Sequence, residues 1–303
     1  MDRLIKRGLT SFAVFACALA ANPANAVGVS FEVGLVIDIS GSVDASEYEL
    51  QRQGYADAFN DAGVQSLIEQ TPNGVAVALF YFSTTSTANK VGGDVADTDF
   101  VMWQAPILDW TLLENSSDAS AFATAIGAIG RPVVDPDDPE GDTNIANGIN
   151  AAANSMNNND FEGLRRVIDV STDGLQNVEL DGSEGACGTS FTSPIEQVCF
   201  DVVEGQRDAA GLQGIIINGI AIETEPTFGL GTLSGYLEDH VITGEGSFAL
   251  AVEDFDTFGD AITDKIAAEL SVPIIPIPAA AYLFGSALLG LASLARRRQH
   301  STA

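Results

Sequence analysis

Three short oxygen-rich segments carry the chemistry this sequence offers. The first closes the run Phe31-Glu-Val-Gly-Leu-Val-Ile-Asp-Ile-Ser-Gly-Ser42 and puts Asp38, Ser40 and Ser42 at alternate positions. The second, Gly141-Asp142-Thr143, sets a threonine hydroxyl at the start of a helical stretch. The third, Ser171-Thr172-Asp173-Gly174, ends another apolar run. Hydroxyls and carboxylates without His or Cys are hard donors, which suit magnesium, with manganese or calcium as substitutes. Each segment also has a plainer use: Asp, Ser and Gly build tight turns, and Asp142 or Thr143 would serve as a helix cap.

The elements around these segments must bring them together. Leu35-Val36-Ile37 is apolar without alternation, as in a strand covered on both faces of a parallel sheet. Gly41 lets the chain bend, and Asp44-Ala45-Ser46-Glu47 is a cap-and-acid pattern that opens a helix. The donors of the first segment therefore lie at a strand's carboxyl end, where open α/β sheets bind ligands.

Further along, the pattern predicts a helix over 48–59, a strand over 74–82, a loop over 84–98 and an edge strand over 101–112. Trp103 and Trp110 on that edge read as packing residues. A helix over 118–129 leads to Arg131–Asp142, an acidic loop broken by three prolines, whose carboxylates do not follow the spacing of a calcium-binding helix-loop-helix. A helix from Asp142 to about Met156, a strand over 164–170, a helix over 194–212 and a strand over 214–222 follow. A short helix over 232–238, a strand over 248–252 and a helix over 255–270 complete the alternation. It predicts a doubly wound, mainly parallel α/β sheet with helices on both faces and one antiparallel edge strand, a Rossmann-like three-layer fold. Asp169 falls inside a strand and is expected to be buried and bonded to backbone or to an arginine.

The ends of the 303-residue chain read differently. Residues 1–26 have a basic start, an apolar middle and Ala24-Asn25-Ala26, the pattern of a secretory signal peptide cleaved after Ala26. Residues 272–303 contain Pro276-Ile277-Pro278, an apolar stretch from Ala279 to Ala295 and then Arg296, Arg297 and Arg298. That stretch is long enough for a transmembrane helix, with the arginines on the cytoplasmic side. Between the ends, residues 27–271 form one domain, and its formal charge is 7 − 41 = −34 once the basic ends and Asp2 are set aside. Such a surface repels nucleic acid and favours divalent cations. Cys187 and Cys199, the even pair left outside the leader, are expected to form a disulfide in an exported chain. His240 is the one histidine of the domain, which leaves little for a Ser-His-Asp triad or a histidine-rich zinc site.

Asp38-x-Ser40-x-Ser42, Thr143 and Asp173-Gly174, in that order, resemble the metal-ion-dependent adhesion site of von Willebrand factor A-type domains. The segments Arg166–Ser171 and Ile217–Ile222 resemble a bacterial group of exported A-type proteins of uncharacterised role. The resemblance spans most of residues 27–271. It departs in two inserts, the acidic loop and Asn177–Ser193 with Cys187. It implies that Ser40, Ser42 and Thr143 touch a magnesium ion through hydroxyls, that Asp38 and Asp173 neutralise it, and that an acidic group of a protein or polysaccharide partner completes its shell. The tail resembles C-terminal sorting signals of Gram-negative bacteria handled by an exosortase-type enzyme, in the Val-Pro-Leu-Pro-Ala-like variant. Together these imply a surface or matrix adhesion protein and no enzyme. A metal-dependent hydrolase and a structural matrix protein with an unused site are the alternatives.

Overall fold

The computed structural model describes residues 26–84, 103–132, 141–181, 187, 197–225, 227 and 231–273. The leader, the apolar tail 279–295, the loop after position 84 and most of both inserts lie outside the described residues. Among the described residues no helix is long and apolar enough to cross a membrane.

Six strands form one sheet in the order β3-β2-β1-β4-β5-β6. They are β1 (Val27–Asp38), β2 (Val75–Phe82), β3 (Leu108–Leu113), β4 (Phe161–Thr172), β5 (Ile215–Ile222) and β6 (Ala249–Val252). All neighbours are parallel except β2 and β3, so β3 is the antiparallel edge. The helices are α1 (Ala45–Asn60), α2 (Ala62–Gln70), α3 (Ser116–Gly127), α4 (Ile145–Met156), α5 (Gln197–Leu212), α6 (Leu233–Tyr236) and α7 (Phe258–Leu270). A π-helical turn, Leu237–Val241, continues α6.

Side chains alternate along β1, and each face enters a separate core. Leu35 and Ile37 pack with Tyr55 of α1 and Phe258 and Ile262 of α7. Val36 packs with Phe80 and Phe82 of β2, Ile149 of α4 and Val203 of α5. Burying each such side chain contributes about 1.5–3 kcal/mol, which is why the run has no polar face. The strands β1 and β4 run in register, Leu35 opposite Asp169 and Ile37 opposite Ser171.

Several expectations need correction. The edge strand starts at Leu108, and Trp103 lies before it. Both tryptophans do pack: Trp110 sits edge-on to Phe80 and donates to Ser155 Oγ at 2.8 Å, and Trp103 sits edge-on to Tyr81. The helical pattern also omits α2, which Asp61 caps through bonds from the Gly63 and Val64 amides. Asp169 is buried as expected, but its partner is Lys265 of α7. That ammonium also meets Glu269 at 2.9 Å, so one lysine and two carboxylates share a buried site.

Candidate metal centre

The three oxygen-rich segments converge at the carboxyl ends of β1 and β4. After β1 the chain turns through Ser40–Ser42 into α1, which has the expected capping box. Asp44 accepts from the Ser46 and Glu47 amides, and Glu47 accepts from the Asp44 amide in return. Asp38 Oδ1 accepts the Ser40 amide at 2.8 Å, and its Oδ2 accepts the Thr172 hydroxyl at 2.5 Å. The first aspartate is thereby held between its own turn and β4.

The second segment approaches from β2 and α4. The Gly41 amide donates to the Gly141 carbonyl at 2.7 Å, and the Thr84 amide donates to the Asp142 carbonyl at 2.9 Å. A Cβ on Gly141 would lie 2.1 Å from the Thr84 carbonyl oxygen, so only glycine fits this close crossing. Asn144, rather than Asp142 or Thr143, caps α4, through the Asn147 amide. Thr143 is held instead by Asn177, whose Oδ1 accepts its amide at 2.9 Å. Its hydroxyl reaches Ser40 Oγ at 3.2 Å.

The third segment completes the group. Ser42 Oγ donates to Asp173 Oδ1 at 2.7 Å and lies 3.2 Å from Ser40 Oγ. A Cβ on Gly174 would stand 2.7 Å from Thr143 Oγ1, so this glycine leaves the threonine its space. Asp38, Ser40, Ser42, Thr143 and Asp173 thus belong to one cluster of side chains. All but Ser42 are buried, and Ser42 is half-buried.

The electrostatics of the cluster are unbalanced. Burial pushes Asp38 up to about 6, against hydrogen bonds from Ser40, Thr172 and the Asp173 amide. Burial first, and then the Asp38 charge, push Asp173 up to about 8, with the Ser42 hydroxyl pulling the other way. The largest influences on either carboxylate include no cationic side chain. Asp173 Oδ2 is buried and, among the described residues, meets no hydrogen-bond partner. Two buried carboxylates side by side, one with an open oxygen, disfavour their own charged state unless a cation joins them. Among the described residues no group of three or more His, Cys, Asp or Glu converges. A cation here would be held largely by neutral hydroxyl oxygens, and an all-oxygen set of this kind fits a hard divalent ion.

Other candidates stand elsewhere or do other work. His240 stacks on Phe200 and pairs with Glu204 at 2.7 Å, on the π-helical turn. Cys187 and Cys199 are joined, tying part of the second insert to α5. Sequence reasoning misses Thr172, Thr84 and Asn177, which orient the cluster from outside it. A hydroxyl at a parallel strand's carboxyl end is a usable signal for the first two; Asn177 leaves none.

The sheet order and the single antiparallel edge define a von Willebrand A-like three-layer α/β fold. Within that class the chain belongs to the family described as Protein of unknown function (DUF1194), whose profile matches residues 28–274. No curated protein sequence matches it. Among solved structures it is similar to the pilus adhesin SpaC from Lactobacillus rhamnosus GG, with 15% identity and a TM-score of 0.53, covering 80% of this chain and 30% of that one. It is also similar to the PilB minor pilin from Streptococcus sanguinis, with 15% identity and a TM-score of 0.51, covering 81% of this chain and 64% of that one. The likeness is one of fold, and this chain spans less than two thirds of either protein.

Proposed function

We propose that this chain is a cation-dependent binding module of the cell surface or extracellular matrix. Asp38, Ser40, Ser42, Thr143 and Asp173 would hold a magnesium ion, with manganese or calcium as substitutes. Bound there, the ion supplies an electrophilic centre for a carboxylate of an acidic protein or polysaccharide partner. The observation that carries this reading is the open, buried Oδ2 of Asp173 among three hydroxyls that already touch one another or Asp173.

The chain's own residues have separable tasks in this scheme. Thr172 and the Ser40 amide fix the Asp38 carboxylate. Asn177 and Gly174 set the position of Thr143. Ser42, the one half-buried member of the five, would face an arriving partner group. The occurrence of the same fold in a pilus adhesin and a minor pilin supports a surface role. We also read residues 1–26 as a leader and 279–295 as a span, which would export the chain and hold it in a Gram-negative envelope. We read the module as a binder and not an enzyme, because none of the seven basic residues of the domain lies in the three segments to clamp a reacting anion.

Calorimetric titration with magnesium and manganese tests the site. Retention on envelope or matrix material, with and without chelator, tests the role. Cation binding with chelator-sensitive retention and no turnover is the expected result. Chelator-sensitive hydrolysis of a phosphoester or peptide would replace this reading with the enzymatic one.

A further inference from the structure

Lys265 of α7 stands against Asp169 of β4, 96 positions earlier in the chain, and against Glu269 one turn further along its own helix. The Lys265 and Asp169 side chains are 0% exposed, and that of Glu269 is 2% exposed. Every other ion pair among the described residues has a partner at least 31% exposed. Neighbours fix the geometry. Asn218 of β5 donates to Glu269 Oε1 at 2.6 Å and accepts the Phe248 amide at 3.1 Å. Glu269 Oε1 lies 2.9 Å from Lys265 Nζ, and the Phe248 ring centre lies 5.5 Å from it. Asp169 Oδ2 meets no partner among the described residues, so none of them holds that oxygen in place. An amine, a carboxyl group in contact with it and a second carboxylate on the same nitrogen are the parts of an amide-forming site.

We propose that Lys265 and Asp169 join covalently, through an isopeptide bond from Nζ to Cγ formed within the folded chain, with Glu269 as the proton carrier. The step balances. With one proton on Asp169, the site holds an ammonium, a carboxylic acid and the Glu269 carboxylate. Glu269 takes one proton from the ammonium. The freed electron pair of Nζ attacks Asp169 Cγ, and a C–N bond forms. The C–OH bond then breaks, and the hydroxyl leaves as water with a second amine proton, relayed through Glu269. The products are a neutral amide, one water and Glu269 as the acid, and no oxidant or cofactor is consumed. Burial, which pushes Asp169 up to about 7 against the pull of Lys265, supplies the acid form at neutral pH. Two forces favour the bond. Buried charges are costly even when paired, and the product contains none. Groups held in contact also react as if at about 10⁵–10⁸ M, which offsets the cost of expelling water from an amine and an acid. Burial pulls the ammonium down, but the two carboxylates outweigh it and keep it charged. Linkage therefore follows folding slowly, and the freshly folded chain carries the three groups as an ion pair. Residues 271–303 continue from α7, so a load applied from that end would pass through the bond into central strand β4. The bond holds whether or not the crevice binds a cation.

Peptide mapping of the full chain by mass spectrometry is the direct test, on fresh protein and after a week in neutral buffer. The chain is reduced, alkylated and digested with trypsin. The peptides that carry Asp169 and Lys265 are expected to appear as one linked species, lighter than their sum by one water molecule and uncut after Lys265, with fragment ions placing the link between the two residues. Two separate peptides after the week, or a loss of water that fragment ions place elsewhere, would overturn the proposal. Glu269→Gln keeps the size of the side chain and removes the proton carrier. It is expected to slow linkage by about 100-fold, the scale of general acid–base assistance. Linkage at the wild-type rate in that folded variant would overturn the role of Glu269.

Discussion

Ser42 Oγ donates to Asp173 Oδ1 at 2.7 Å and so joins two strand ends that lie 131 positions apart. The bond brings a half-exposed hydroxyl of the first segment onto a buried carboxylate of the third. It occupies one oxygen of Asp173 and leaves the other open. Most of the expected behaviour of the crevice follows from that asymmetry.

Removing either anchor should abolish ion binding without unfolding the domain. Asp38→Ala and Thr143→Ala are each expected to show no heat of magnesium binding, while far-ultraviolet circular dichroism and cooperative melting are retained. Wild-type affinity in both variants would remove these residues from the site.

Protons and cations should compete for the crevice. Asp38 and Asp173 stand at about 6 and about 8 in the folded chain, against the ordinary aspartate value of 3.8. An acid with a raised folded pKa binds more protons folded than unfolded, so stability falls as pH rises through the window between the two values. The cation-free chain is therefore expected to melt lower at pH 8 than at pH 6, and magnesium should flatten that slope. Asp169, pushed to about 7 by burial, contributes a slope of the same sign that magnesium leaves in place. Asp173→Asn should raise the cation-free melting temperature at pH 8, at about 2–4 °C per kcal/mol for a domain of this size, and should remove the magnesium response. Scanning calorimetry at the two pH values decides the matter.

Gly174 has a role that a methyl group would expose. A Cβ there meets Thr143 Oγ1 at 2.7 Å. Gly174→Ala is expected to displace the threonine and lower magnesium affinity by about 10–100-fold, the usual range for residues that orient a ligand. Titration calorimetry reads the change; wild-type affinity would show that Thr143 has room to move.

The buried lysine should be worth more to stability than any surface charge. Lys265→Met leaves Asp169 and Glu269 facing each other in a buried site, and is expected to cost about 3–5 kcal/mol in urea unfolding. Adding Asp169→Asn and Glu269→Gln should return part of the loss. A Lys265→Met chain as stable as wild type would mean that the two acids already share protons.

Reduction should loosen the second insert. The Cys187–Cys199 bond closes a loop of sequence separation 12. Its loss is expected to cost about 3 kcal/mol by chain entropy, seen as a lower urea midpoint in a reducing agent. An unchanged midpoint would place the insert outside the cooperative unit.

What can be read from the sequence, and what cannot, divides along physical lines. Four of the strands contain dense apolar runs because helices cover both their faces, and such runs are visible without a structure. The amino-terminal part of β4 alternates half-buried and exposed residues, so the strand begins at Phe161, three residues before its apolar signal does. Short α2 buries only Val64 and Ile68, too few for a periodic signal. The five candidate site residues are legible because they end strands or start a helix. The Thr143–Asn177 and Asp169–Lys265 contacts are not, since each joins side chains brought together only by tertiary packing. The cap of α4 escapes sequence reasoning for the same cause: Asp142 and Thr143 are good cap residues locally, and their neighbours in space engage them otherwise.

The pairing of β4 with β1 has one more consequence. Asp169, Ser171 and Asp173 sit at every second position, so a slip of a single residue would turn all of them toward α4 and α5. Asp173 would then leave Ser42, and Lys265 would lose one of its two carboxylate partners. Misfolded copies could not assemble the crevice, so titration with a divalent ion would double as a quality check on refolded material, counting only molecules whose central strands found their correct alignment.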